Sequence, residues 1–186
     1  TSVSSHHSGT KNLLLTLVDN MTNTPVVLKY PVALPPTLNK YGLTSPRGAK
    51  LATRFWPVQE SSSATKKALC LIVHGSGSHS GYFEGLANFL TASGIICGSY
   101  DQVSCGYSDP EPGTPRPGVT HIQDFDCFIE DLFEAMKWLK KESGEEDLPL
   151  FLIGESFGGL QVWDFVGLWL SFPFFQRNST NVLLLT

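Results

Sequence analysis

From residue 68 to the end of the chain, unbroken apolar runs alternate with stretches where apolar residues recur every three or four positions. Residues 68–73 (Ala-Leu-Cys-Leu-Ile-Val) are apolar throughout, as in a strand covered on both faces. After a glycine-rich turn, Tyr82, Phe83, Leu86, Ala87 and Leu90 fall at helical spacing, and Gly94 stops that helix. Residues 95–100 read as the next strand, and a proline- and glycine-rich loop covers 109–118. Phe125, Phe128, Ile129, Leu132, Phe133, Met136 and Leu139 then trace one helical face. Lys140 and Lys141 suit the negative end of this helix, and Gly144 supplies its cap. A strand at 148–153, a sharp turn, a very apolar helix and a strand-like run at 181–185 complete the alternation.

Such alternation specifies an α/β protein, with a mostly parallel sheet and helices on both faces. Ligands in these sheets bind at the carboxyl ends of the strands. The pattern before residue 68 is different. Residues 1–40 form a poorly patterned N-terminal extension, with one strand-like run at 26–30 interrupted by Pro31, Pro35 and Pro36. Residues 43–56 read as a hairpin turning at Ser45-Pro46-Arg47-Gly48, and 60–67 as a polar surface loop. The expected organisation is therefore an extension, 1–40, followed by a partial α/β domain, 41–186.

Composition narrows the function classes. In 186 residues, 41% are hydrophobic and 16% charged, enough for one core, and a net charge of -4 gives no reason to expect nucleic acid. Cys70, Cys97, Cys105 and Cys127 lack C-x-x-C spacing, so a zinc site is not indicated and all four are read as reduced, which fits an intracellular compartment. The chain starts at Thr1 and its first twelve residues lack a signal-peptide pattern, so a processed or incomplete N-terminus is expected. Two glycosylation sequons, at Asn20 and Asn178, carry no weight without a secretory context. The apolar stretch 160–175 is shorter than the ~20 residues of a membrane span and contains Asp164 and Pro173, so it reads as a buried core helix.

The candidate chemistry lies in two turns, each after an apolar strand. Gly154-Glu155-Ser156-Phe157-Gly158-Gly159 follows the strand at 148–153 and opens a helix, the layout of a nucleophile elbow with Ser156 as nucleophile. Glycines are needed there because side chains would collide where strand and helix meet. The second turn is His74-Gly75-Ser76-Gly77. Acyl transfer requires two backbone amides aimed at one developing oxyanion. Those of Phe157 and Ser76 are the candidate pair, and His74 reads as a residue that orders its turn.

Two rival readings use the same residues. Gly75, Gly77 and Gly81 follow a strand, and Asp101 ends the next one, as in a dinucleotide-binding oxidoreductase; the spacing, however, is not G-x-G-x-x-G, and the elbow is left unexplained. The other is a non-catalytic relative that binds a lipid or a partner.

Four stretches resemble monoglyceride-lipase-like α/β-hydrolases. The run from His74 to Tyr82 is similar to that family's H-G-x-G-E-H-S-x-R-Y turn, and 43–56 to its R-G-x-K-L-x-x-R-x-W hairpin. Residues 100–109 are similar to its Y-D-x-x-G-x-G-x-S-D loop, and 148–159 to its L-P-x-F-L-x-G-x-S-M-G-G elbow. The resemblance runs from about Leu43 to the end. It implies a serine esterase acting on monoacylglycerols or similar lipid esters, with Ser156 as nucleophile and the Ser76 and Phe157 amides as oxyanion hole. No metal or organic cofactor is implied. The implied partner is a small lipid ester, and the implied location is the cytoplasm, with peripheral membrane contact open to the full-length protein. Ser78, Tyr82-Phe83 and 102–105 depart from the family pattern. In that family a lid, a catalytic aspartate and a histidine follow the strand after the elbow helix. From Gly158 to Thr186 there is no histidine, and Asp164 is the sole acid. The expectation is a chain that stops before the lid, contains neither triad acid nor triad base and is nearly inactive. His6, His7, His79 and His121 read as tail or loop residues.

Overall fold

A computed structural model describes residues 14–18, 25–29, 37–58, 65–110, 112–113, 124–171 and 184–185. The chain divides between Pro35 and Pro36 into two units. In the first, β1 (Leu14–Val18) and β2 (Pro25–Lys29) pair antiparallel, Leu14 opposite Lys29.

The second unit is built on one six-stranded sheet. Its strands are β3 (Thr37–Thr44), β4 (Lys50–Trp56), β5 (Ala68–Val73), β6 (Ile95–Tyr100), β7 (Leu150–Gly154) and β8 (Leu184–Leu185), in the spatial order β3-β4-β6-β5-β7-β8. β3, β4 and β6 pair antiparallel; β6, β5, β7 and β8 pair parallel, as the strand–helix alternation from residue 68 requires. The hairpin begins six residues before the expected Leu43 because β3 starts at Thr37, with a register irregularity between Asn39 and Leu43. β7 starts two residues later than expected, although the Pro149 carbonyl already accepts from the Leu69 amide. Of the expected strand at 181–185, residues 181–183 lie outside the described residues.

Alternation along β5 assigns the two faces of the sheet. Leu69, Leu71 and Val73 enter a core with Phe128, Leu132, Ala135 and Leu139 of α2 (Asp126–Ser143) and with Val162 and Phe165 of α3 (Phe157–Ser171). Cys70 and Ile72 face the other way, toward Ala87 of α1 (Glu84–Ala92), Trp56 and Cys97. Helices therefore cover both faces, and every β5 residue is buried. α2 ends as its sequence dictates, with Lys140 and Lys141 in the last turn and Gly144 at φ 67 as its left-handed cap.

Two helices differ from expectation. Ser80–Phe83 form a 3-10 turn ahead of α1, which rotates Tyr82 outward; Tyr82, Leu86 and Phe89 are exposed while Ala87 is buried. The segment expected to be buried all round, α3, buries Gln161, Val162 and Phe165 but exposes Leu160 (53%) and Trp163 (64%). Its core contacts come from the sheet and from α2, leaving that flank uncovered among the described residues. No helix among the described residues is long and apolar enough to cross a membrane.

One polar contact ties the hairpin turn to α2. Arg47 donates to the Asp131 carboxylate at 2.8 Å and to the Cys127 carbonyl at 3.0 Å. Asp131 is 1% exposed, and this guanidinium compensates its charge.

Candidate active site

The turn between β7 and α3 is shaped by glycines. A Cβ on Gly154 would strike the Gly158 carbonyl, and one on Gly158 would strike the Val73 carbonyl. Strand, helix and neighbouring strand thus approach more closely than any side chain permits. Ser156 stands at the apex with φ 53, in the left-handed region disfavoured for a residue with a Cβ, and it is exposed. Ser104 (φ 64) is the other non-glycine residue with positive φ among the described residues. The elbow is pinned by Glu155 N–H to the Val73 carbonyl (3.0 Å), Gly158 N–H to the Glu155 carbonyl (2.9 Å) and Leu160 N–H to the Ser156 carbonyl (3.2 Å).

β5 and β7 are parallel neighbours, so their carboxyl ends bring the turn after Val73 beside the elbow; Val73 pairs with Gly154. Within the first turn the hydrogen bonds are specific. The Gly75 amide donates to the Glu155 carboxylate at 2.7 Å, and the Ser78 amide to the Gly75 carbonyl at 3.3 Å. Among the described residues, no partner takes the amide of Ser76 or that of Phe157. Phe157 is the first residue of α3, where the amide has no intrahelical acceptor and the helix dipole is positive.

His74 is fully buried and uses both ring nitrogens. Its Nε2 accepts from the Gln102 backbone amide at 2.9 Å, so the proton resides on Nδ1, which donates to the Gly75 carbonyl at 2.7 Å. Burial lowers the His74 pKa below 6.5, against the raising effects of the Gly75 carbonyl and the Asp101 charge. A neutral imidazole with both nitrogens engaged orders the turn, as its sequence position suggests, and has no nitrogen left to act as a base.

Asp101 is also fully buried. Its carboxylate accepts from the Ser80 amide (2.7 Å), the Ser80 hydroxyl (2.5 Å) and the Tyr107 amide (2.8 Å). Arg54 Nε donates to that same Ser80 hydroxyl at 3.1 Å. A carboxylate so engaged cannot grip a ribose, and the dinucleotide-binding reading loses its acid. Gly106, at φ 52, is required beneath it, since a Cβ there would collide with the Asp101 carboxylate. His79 is partly buried, and its Nδ1 accepts from the Gly81 amide at 3.1 Å as the cap of the 3-10 turn. His6, His7 and His121 lie outside the described residues.

Three contributors were not singled out from sequence: Glu155, Gln102 and Gln161. Glu155 was visible only as the variable position of G-x-S-x-G. Gln102 follows a strand end, where a polar residue is ordinary. Gln161 did carry a signal, as a lone amide between Leu160 and Val162 in an otherwise apolar helix start. None of the four cysteines forms a disulfide among the described residues, and a hydrogen bond with Cys70 together with burial raises the Cys97 thiol well above its ordinary value. Among the described residues no group of His, Cys, Asp or Glu is arranged to hold a metal ion.

Comparison with known proteins places these features in context. The profile of the family described as serine aminopeptidase, S33, matches residues 64–171. The monoglyceride lipase of Mus musculus is 31% identical over 117 residues, covering 63% of this chain and 34% of that protein. The human monoglyceride lipase is 32% identical over the same length. The chain thus spans about a third of these relatives' length. Among solved structures, a soluble variant of the Saccharomyces cerevisiae monoglyceride lipase with a substrate analogue superimposes with a TM-score of 0.54 at 26% identity, over 70% of this chain and 39% of that one. A thermostable carboxyl esterase from Bacillus coagulans, at 15% identity, shares the fold with a TM-score of 0.58 over 80% of this chain and 43% of its own.

Proposed function

The chain belongs to the serine aminopeptidase S33 family and is a monoglyceride-lipase-like α/β-hydrolase, and on that premise we propose that it carries the nucleophile and the oxyanion hole of an enzyme that cleaves monoacylglycerols or similar lipid esters. Ser156 Oγ attacks the ester carbonyl carbon and gives up its proton to a general base. The negative charge passes to the carbonyl oxygen, held by the N–H groups of Ser76 and Phe157. Collapse of this intermediate breaks the bond to the glycerol oxygen, which leaves as the alcohol with the transferred proton. Water then hydrolyses the acyl-Ser156 ester, restoring the serine and releasing the fatty acid. None of the described residues is assigned as the triad acid or base.

One observation carries the reading: Ser156 is exposed at φ 53 directly before the Phe157 amide, and that amide and the Ser76 amide of the neighbouring turn have no other partner among the described residues. A backbone held in an unfavourable region needs a return, and presenting a hydroxyl at the carboxyl edge of a parallel sheet supplies one. The dipole of the α3 amino end adds to the field that would stabilise an oxyanion. The lipid-ester substrate class comes from the monoglyceride lipases that the chain resembles.

The test is covalent labelling by a fluorophosphonate, read by intact mass and peptide mapping, in the chain and in Ser156→Ala. With no base assigned, the expected result is one slowly formed adduct on Ser156, its residual rate owed to the oxyanion hole, absent from the alanine variant and slowed further by added monoacylglycerol. An adduct elsewhere, or equal labelling of Ser156→Ala, would sink the assignment. Labelling of Ser156 that monoacylglycerol leaves unchanged would remove the substrate class.

A further inference from the structure

We propose that Gln102 is a positioning residue for the oxyanion-binding peptide and that Gln161 holds the Gln102 side chain in the required orientation. This inference rests on the reading of Ser156 and Ser76 given above and adds two residues to it. Gln102 is 2% exposed and Gln161 is fully buried. The Gln102 backbone amide donates to His74 Nε2 (2.9 Å), and its side-chain Nε2 donates to the His74 carbonyl at 2.5 Å. Gln161 Nε2, from the first turns of α3, donates to Gln102 Oε1 at 3.0 Å.

These contacts determine the direction of the Ser76 N–H. In a trans peptide the N–H points opposite to the carbonyl of the preceding residue. The Gly75 carbonyl is held by His74 Nδ1–H and by the Ser78 amide, so the Ser76 N–H is turned away from them. The Gln102 backbone amide donates to Nε2, so the neutral ring carries its proton on Nδ1, the nitrogen that faces the Gly75 carbonyl. The Gln102 side chain fixes the His74 carbonyl, the other end of the same turn. That carbonyl can only accept, so the Gln102 NH2 faces it and Oε1 faces α3. Gln161 Nε2 donates to this Oε1 and holds the side chain in that orientation. The buried amides thus link the helix that begins beside Ser156 to the turn that carries the second oxyanion donor. Among the described residues Gln161 Oε1 has no partner, a desolvation cost that an apolar residue would avoid.

Gln102→Leu, Gln161→Leu and the double variant test the link, because leucine preserves approximate volume and removes the amide. In each, fluorophosphonate labelling of Ser156 is resolved into reversible affinity and the first-order bonding step, with a thermal scan of the same sample. The expected outcome is a bonding step slowed about tenfold in each single variant, with affinity unchanged, since misplacing one donor by under an ångström weakens it in the transition state. The double variant should be no slower than Gln102→Leu, because the two amides act as one unit. A folded variant that labels at the parent rate, or losses that simply add, would overturn the proposal. Hydrogen exchange at the residue 102 backbone amide reads the clamp independently of labelling. Exchange about tenfold faster in Gln161→Leu supports the clamp; unchanged exchange refutes it. Should the parent chain leave Ser156 unlabelled while this exchange does accelerate, the active-site reading fails and the amide clamp stands.

Discussion

The Glu155 carboxylate accepts the Gly75 amide proton at 2.7 Å, fastening the residue before the candidate nucleophile to the turn that carries the second candidate oxyanion donor. The contact also removes Gly75 from candidacy, since its N–H is already engaged, and makes Ser76 the first amide of that turn open to an oxyanion. Truncation to Glu155→Ala should slow the bonding step of fluorophosphonate labelling by about tenfold, and Glu155→Gln, whose amide oxygen can still accept, should retain most of the parent rate. Equal losses in the two variants would show that charge, not the hydrogen bond, governs the site.

Ser104 and Ser156 share a left-handed backbone, at φ 64 and 53, and should respond alike in stability and differently in chemistry. Replacing either by glycine relieves about 1–2 kcal/mol of steric strain against about 0.5–1 kcal/mol of added chain entropy, a net gain of about 0.5–1 kcal/mol. Urea unfolding should register that gain for Ser104→Gly and for Ser156→Gly. Only the second should abolish labelling.

Arg47 and Asp131 are expected to be unequal partners. Removing the guanidinium takes the ion-pair partner from a carboxylate that is 1% exposed, and Arg47→Ala should cost about 3 kcal/mol in a chemical unfolding experiment. Asp131→Ala should cost less, because Arg47 retains the Cys127 carbonyl and lies 3.5 Å from Glu130 at the surface.

The depressed pKa of His74 makes folding sensitive to acid. Unfolding exposes the ring and returns it to its ordinary value of 6.5, so at lower pH the unfolded chain binds a proton that the folded chain refuses. This contribution is complete above pH 6.5 and declines as pH falls below it, at up to ~1.4 kcal/mol per pH unit until the folded-state pKa is reached. Unfolding free energies at pH 7.0 and about 5.5 should show a shallower dependence in His74→Asn than in the parent, and histidine 15N spectra should show His74 titrating below the ordinary 6.5.

How much of this could be read from the chain depended on whether a residue's role is local. The β5 run, the α2 face and the Gly144 cap were legible because unbroken apolarity, a 3.6-residue period and a terminal glycine each have a single structural meaning. The elbow was legible for a steric reason: residues 154 and 158 must lack side chains. Tyr82 escaped, since its helical spacing with Leu86 is correct and only the 3-10 turn before α1 rotates it into solvent. Trp163 escaped because hydrophobicity records a residue's preference and says nothing of which neighbours arrive to cover it. Glu155, Gln102 and Gln161 act through partners tens of positions away, and no local pattern encodes such a pairing.

That distance also sets when the site can exist during synthesis. Gly75 and Glu155 are separated by 80 positions, and the parallel pairing of β5 with β7 is what brings them together. At about 5–20 residues per second on a ribosome, the first turn waits several seconds for its counterpart. Throughout that interval one side of β5 offers open backbone groups and a fully apolar strand to any passing chain. The pairing that assembles the site therefore also ends the period of greatest risk for this protein, and a variant that delays β7 should be lost to aggregation before it is lost to inactivity.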